Sequence, residues 1–226
     1  MQGASLLAAL ALSLGAWAMG PAEMGASLAE IVALLSPVAR YHQALALASL
    51  LGGAPPDPGP ARAALDETSQ TLKVLLETRA FEPDWPKTKV ALQDLQGAVL
   101  AVCDGLNQPE RERLSNLWAA LDRVGAEATE EARGLGAEWT FQAAMLAKAV
   151  LVAPSPLYLQ VPKEIREYLT TATPSWISLE AGTGLATILA LSNRALSPDE
   201  ETLAREAAGT LLAALLDRER REGGGT

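Results

Sequence analysis

The sequence predicts an all-α protein, an antiparallel helical bundle of about seven helices preceded by an N-terminal apolar helix. Alanine occurs 43 times and leucine 39 times in 226 residues, and both are strong helix formers. β-Branched residues never alternate with polar residues over a strand-length run. Apolar residues recur instead at helical spacing, in segments that proline and glycine separate.

Residues 1–22 contain no charged side chain. The apolar run from Ala4 to Leu14 leads into Ala16-Trp17-Ala18, a small-x-small pattern that signal peptidases accept. The segment therefore predicts a cleaved signal peptide, although the basic residue that usually begins one is missing. Its length of about 21 residues also suits a retained membrane anchor. A core helix buried on nearly all sides is the remaining alternative.

Proline and glycine divide the rest of the chain. Residues 23–51 are interpreted as a membrane-proximal helical region, in which Pro37 should kink or divide the helix. Seven of the nine residues in 52–60 are Pro or Gly, which predicts a linker. The helical bundle is then expected over 61–221, and 222–226 as a disordered tail.

Two segments within the bundle have leucine-rich seams at a/d spacing. The first lies in the helix predicted over 87–106, and Cys103 beside it is interpreted as core filling. The second lies in the helix that follows residues 107–110. The two seams consist of Leu92, Leu95, Val99, Val102 and Leu106, and of Leu114, Leu117, Leu121, Val124 and Ala128.

Four more helices are predicted towards the C-terminus. They cover 137–153 and 163–169, a segment that Thr173-Pro174 opens, and a last helix from Ser197 to about Arg221. Ser197-Pro198-Asp199-Glu200 has the residues of a capping box with proline at the first helical position. Gly182 and Gly184 in the third of these helices predict close approach of a neighbouring helix, because glycine lets two backbones come near.

The composition argues against most familiar chemistries. The formal charge of −9 disfavours binding to phosphate backbones. His42 is the only histidine and Cys103 the only cysteine, and no nucleophile motif or phosphate-binding loop is present. No catalytic residue, metal site or cofactor is predicted.

Two isolated charges stand out, Lys148 and Glu180, since each is alone in a largely apolar helix. They are interpreted either as a buried pair or polar pocket between the two helices, or as members of narrow solvent-facing stripes. Candidate ligand-binding residues are Lys148, Glu180, Tyr158 and Trp176. Trp85, which lies between two prolines, and Tyr158 are the candidate contacts for a protein partner.

The sequence therefore favours an exported or membrane-anchored helical bundle with an interaction or structural role. It would self-associate or bind a protein partner, and residues 4–22 would contact the membrane if the leader is retained. The body would lie outside the cytoplasmic membrane, or in the cytoplasm if residues 1–22 form a core helix. No later segment has 18 apolar residues free of charge. The alternative function is binding of a small apolar ligand or cofactor between helices 141–152 and 176–191.

Overall fold

The computed structural model describes residues 19–77, 81, 84–106, 111–153 and 159–223. It confirms the all-α prediction, because these residues form eight helices and no strand. The helices are α1 (Pro21–Leu51), α2 (Gly59–Glu77), α3 (Pro86–Asp104), α4 (Arg111–Gly134), α5 (Glu138–Val152), α6 (Lys163–Thr171), α7 (Leu179–Leu191) and α8 (Pro198–Gly223).

Three helices differ from the sequence prediction at a proline or a cap. Helix α1 continues through Pro37, so of the two outcomes predicted there, a kink or a division, the division is wrong. Helix α7 begins at Leu179 and not at Thr173-Pro174, because the Ser178 hydroxyl accepts a hydrogen bond from the N–H of Ala181 at 3.2 Å and caps the helix there. The glycine and proline at 59–60 belong to the first turn of α2, where proline is tolerated.

The capping box predicted at the start of α8 is confirmed. The N–H of Glu200 donates to the Ser197 hydroxyl at 3.3 Å, and the Ser197 N–H donates to the Glu200 carboxylate at 3.0 Å. Helix α8 extends past the predicted end at Arg221 and includes Glu222 and Gly223. The remainder of the predicted tail, 224–226, lies outside the described residues.

The contacts group the described residues into two compact units. The first unit comprises residues 31–131, in which α2 packs against α3. The seam predicted on α3 is buried throughout its length, and Leu117, Val124 and Ala128 of α4 are buried as well. Hydrogen bonds join the start of α3 to the end of α4, so these two helices are antiparallel.

The second unit comprises residues 19–30 and 132–223. Helix α8 packs against α5 and α7, and α6 packs against α5. The first ten residues of α1 therefore belong to the same unit as the C-terminal helices. The buried core of this second unit includes Ala22, Trp139, Ala144, Ala147, Val150, Ile188, Ala204, Ala208, Leu211 and Leu215.

Helix α1 is the N-terminal apolar helix of the described chain. By length and composition it could cross a membrane, although half of its most apolar stretch is buried within the protein. Every 18-residue stretch of α1 contains Glu30 or Arg40, so the helix does not contradict the prediction that no segment after the leader has 18 apolar residues free of charge. A signal sequence, a membrane anchor and a core helix share these properties. Residues 1–18 of the predicted leader lie outside the described residues.

Candidate functional site

Lys148 forms an ion pair with Glu30, not with Glu180. The Lys148 ammonium lies 3.0 Å from the Glu30 carboxylate, and the two side chains are 15 % and 18 % exposed. The pair joins α5 to α1 within the second unit. Because water is largely excluded from this site, each charge needs a partner of opposite sign. Glu30 provides that partner for Lys148, the isolated lysine noted in the sequence.

Close packing of α1 on α5 brings Glu30 to Lys148. A Cβ atom at Gly25 would overlap the backbone carbonyl of Phe141, so only glycine fits this approach without a shift. Sequence reasoning missed Glu30 because it assigned 23–51 to a separate region. The uncompensated lysine on an apolar helix was the signal that a carboxylate from another segment was required.

Trp176, a predicted ligand-binding residue, already has two partners. Its ring meets Trp139 edge to face, with 5.6 Å between the ring centroids and an interplanar angle of 88°. The Arg218 guanidinium lies over the Trp176 ring, 3.8 Å from the ring centroid. Trp139 is itself buried and its indole N–H donates to the carbonyl of Leu169 at 3.3 Å. Trp176, in the segment before α7, therefore contacts α5 through the Trp139 ring and α8 through the Arg218 guanidinium.

An open groove of about 400 Å³ runs between the start of α7 and the end of α8 and contains Trp176 and Glu180. Lys148 does not line it. Five charged side chains line the groove, which makes it unsuited to a small apolar ligand. These are Glu180, Asp217, Arg218, Arg221 and Glu222. Arg221 pairs with Asp217 and Arg218 with Glu222, so both cations are already neutralised.

The remaining candidate residues have separate surroundings. Glu180 is exposed, as its interpretation on a solvent-facing stripe expected. The Trp85 side chain is fully buried, so it offers no surface to a partner. Tyr158 lies outside the described residues.

Cys103 is half-buried, and its thiol lies 3.6 Å from the Asp66 carboxylate. Burial, together with that carboxylate, raises the pKa of the Cys103 thiol.

A glutamate from the end of α8 caps the first turn of α1. The Glu219 carboxylate accepts hydrogen bonds from the N–H groups of Ala22 and Glu23, the latter at 3.3 Å. Gly20 leaves room for this carboxylate, which occupies the position a Cβ atom would take. Burial, together with the neighbouring charge of Glu23, raises the pKa of Glu219 to about 7 despite these hydrogen bonds. Burial also raises the pKa of Glu23.

Glu131 performs the same role in the first unit. Its carboxylate accepts hydrogen bonds from the N–H groups of Lys87 and Thr88 at 2.7 and 3.0 Å. Helices α1 and α3 both have proline at the first position and lack a capping Ser, Thr, Asp or Asn before it, since Gly20 and Trp85 stand there. That absence was a sequence signal that a remote acceptor would be needed.

The C-terminal end of α1 carries the most exposed of the large apolar side chains of this helix. Leu47, Leu50 and Leu51 are 57 %, 81 % and 81 % exposed, at i, i+3 and i+4 spacing. They lie in the stretch 41–56, which contains no Asp, Glu, Lys or Arg. We call these three leucines the α1 tip. At this spacing the three exposed leucines lie on one face of the helix.

Few residues in the described part of the chain could support metal-dependent or acid–base chemistry. Within it, no group of three or more His, Cys, Asp or Glu side chains is placed to hold a metal ion. His42 is half-buried on α1, and burial lowers its pKa. Its ring contacts that of Tyr41, with 5.5 Å between the ring centroids.

These features define an all-α bundle protein in which the Lys148–Glu30 pair and the carboxylates of Glu131 and Glu219 join separate helices. Comparisons with protein-family models, with curated proteins and with solved structures found no match to this chain.

Proposed function

We propose that the chain is a non-enzymatic interaction or structural protein, exported or anchored in the cytoplasmic membrane with its body outside, and that it self-associates through the α1 tip. The observation that carries the proposal is the exposure of Leu47, Leu50 and Leu51 on one face of a helix. Exposed leucines at this spacing are suited to pairing with another helix.

The charge pattern supports a second copy of the chain as the occupant. Two molecules of formal charge −9 repel each other over most of their surface. The stretch 41–56 is free of Asp, Glu, Lys and Arg, so two tips can approach without placing like charges together. A two-fold contact of the same patch on both molecules is the commonest arrangement in homodimers.

The size of the α1 tip sets the strength of this contact. Stable interfaces bury about 800 Å² on each partner, and three leucines supply only part of that area. We therefore expect weak association in solution, with a Kd of about 1 µM or weaker. An N-terminal anchor would strengthen it, because confinement in one membrane raises the effective concentration of the tips.

Sedimentation velocity of the full chain over a range of concentrations tests the proposal. The wild-type protein should shift from a monomer of 23.7 kDa towards a dimer as concentration rises. Replacing the three tip leucines by Gln should leave a monomer at every concentration. The matched control replaces Leu100 and Leu203, exposed leucines outside the tip, and should associate like the wild type. Equal association of the tip variant and wild type, or a wild-type chain that stays monomeric, would exclude this role for the tip.

Fractionation and N-terminal sequencing test the location separately. A mature protein that begins at Met19 in the exported fraction supports a cleaved leader, and an intact chain in membranes supports an anchor. An intact chain in the cytoplasm would refute export and leave residues 1–22 as part of a soluble protein.

A further inference from the structure

A glutamine of α5 and an arginine of α6 have buried polar atoms that lack hydrogen-bond partners. Among the described residues, nothing bonds to Oε1 of Gln142 or to Nε and Nη2 of Arg166. We infer that these two side chains form a binding site for a small carboxylate that has a hydroxyl or ammonium group beside its carboxylate. This site goes beyond the proposed function and does not depend on self-association through the α1 tip.

The two side chains lie at the same crossing of α5 and α6. These helices pack against each other, and the Trp139 indole N–H donates to the Leu169 carbonyl at 3.3 Å, so the start of α5 meets the end of α6. Gln142 stands three residues after Trp139, and Arg166 stands three residues before Leu169. Because residues three apart share a helical face, both polar side chains lie within one turn of this contact.

Apolar side chains surround this crossing. Leu146 and Leu169 belong to the core of the second unit, and Ile165 packs against that core. A guanidinium that loses water there without gaining a partner is costly. Arg205, another half-buried arginine of this unit, avoids the cost by donating to three backbone carbonyls at the end of α5, at 2.8 to 3.3 Å. Arg166 has no such acceptor among the described residues, so an added anion would relieve it.

The three unpartnered atoms define the class of ligand. The Nε–H and Nη2–H groups of an arginine point the same way and match the two oxygens of one carboxylate. The Gln142 Oε1 atom can only accept, so a carboxylate alone would place one acceptor against another. A hydroxyl or ammonium group next to the carboxylate supplies the missing donor. Arg166 is only half-buried, which leaves a way in from solvent, and its enclosed nitrogens turn towards the ligand as it binds.

Titration of the full chain with sodium acetate and with sodium glycolate tests the site, because glycolate differs from acetate by one added hydroxyl. The Nε–H signal of Arg166 in nitrogen-15 spectra reports binding, and sodium chloride at equal ionic strength is the blank. We expect the signal to saturate with both ligands and glycolate to bind about 5-fold more tightly, since its hydroxyl adds a hydrogen bond to Gln142. The signal of Arg62, which is exposed on α2, should not saturate.

Two variants separate the roles of the two residues. Arg166→Lys retains the positive charge but loses the paired N–H donors, so relaxation of the glycolate signals should no longer detect binding. Gln142→Leu removes the acceptor, so acetate and glycolate should then bind equally.

Two outcomes in the wild-type chain would overturn the site. One is a shift of the Arg166 signal that never saturates and is no larger than in sodium chloride, which would mean that no carboxylate binds there. The other is equal affinity for acetate and glycolate, which would refute the class of ligand. Both are measured without a variant, so they hold even if Arg166→Lys or Gln142→Leu does not fold.

Discussion

Glu131 binds Thr88 through both the backbone and the side chain. The Thr88 N–H donates to the Glu131 carboxylate at 3.0 Å, and the Thr88 hydroxyl donates to the same oxygen at 2.7 Å. Thr88 is fully buried, so water cannot replace this acceptor. This contact joins the last turn of α4 to the first turn of α3. In the second unit, Glu219 makes the equivalent contact with the first turn of α1.

The first prediction concerns this cap. Glu131→Ala should lower the free energy of unfolding by about 1–3 kcal/mol, because it removes a helix cap and leaves the buried Thr88 hydroxyl without its acceptor. Urea denaturation measures the loss. Glu127→Ala, one turn earlier on α4, is the control and should change stability by less than about 0.5 kcal/mol. Equal losses in the two variants would show that the cap contributes nothing specific.

The second prediction uses two glycines of α7. A Cβ atom at Gly184 would lie 2.7 Å from the carbonyl oxygen of Ala207, whereas one at Gly182 would meet no atom within 4 Å. Gly184→Ala should therefore destabilise the protein by about 1–3 kcal/mol, since the backbones of α7 and α8 must separate. Gly182→Ala should stabilise it by up to about 1 kcal/mol, because alanine favours the helix. Thermal unfolding of both variants checks the opposite signs, and a stabilised Gly184→Ala would contradict the close approach.

The third prediction concerns the Lys148–Glu30 pair. Lys148→Met should destabilise the protein by about 1–3 kcal/mol, because it leaves the Glu30 carboxylate largely buried without its partner. Adding Glu30→Leu to Lys148→Met should restore part of that loss, since two apolar side chains can replace a buried ion pair. A double-mutant cycle in urea measures the coupling.

The variant Glu180→Leu tests whether Glu180, the partner that the sequence suggested, compensates the charge of Lys148. Glu180 is exposed, so this variant should change the free energy of unfolding by less than about 0.5 kcal/mol. A loss as large as that of Lys148→Met would mean that Glu180, not Glu30, compensates the lysine.

The sequence predicted individual helices better than the contacts between them. The seam of α3, the capping box of α8 and the close approach at Gly184 depend on neighbouring residues or on a single residue type, so local patterns revealed them. Glu30 and Glu219 depend on partners about 118 and 197 residues away in the chain. No spacing rule indicates which distant carboxylate will meet a lysine or a helix start, because that choice follows from the packing of whole helices.

The fourth prediction concerns Glu200, whose pKa has the opposite shift to that of Glu219. The Arg194 guanidinium bonds to the Glu200 carboxylate at 2.5 and 2.9 Å, and together with the Ser197 N–H it lowers the pKa of Glu200 to about 2. A lowered pKa means that the contribution of Glu200 to stability is present above about 4.5 and is lost as pH falls towards 2. A carbon-13 titration should find this midpoint, and Arg194→Ala should raise it towards 4.5. The midpoint of Glu219 should stay near 7 in that variant, because Arg194 is not among the charges that act on it. A Glu200 midpoint that stays low without Arg194 would show that the capping box alone holds the carboxylate ionised.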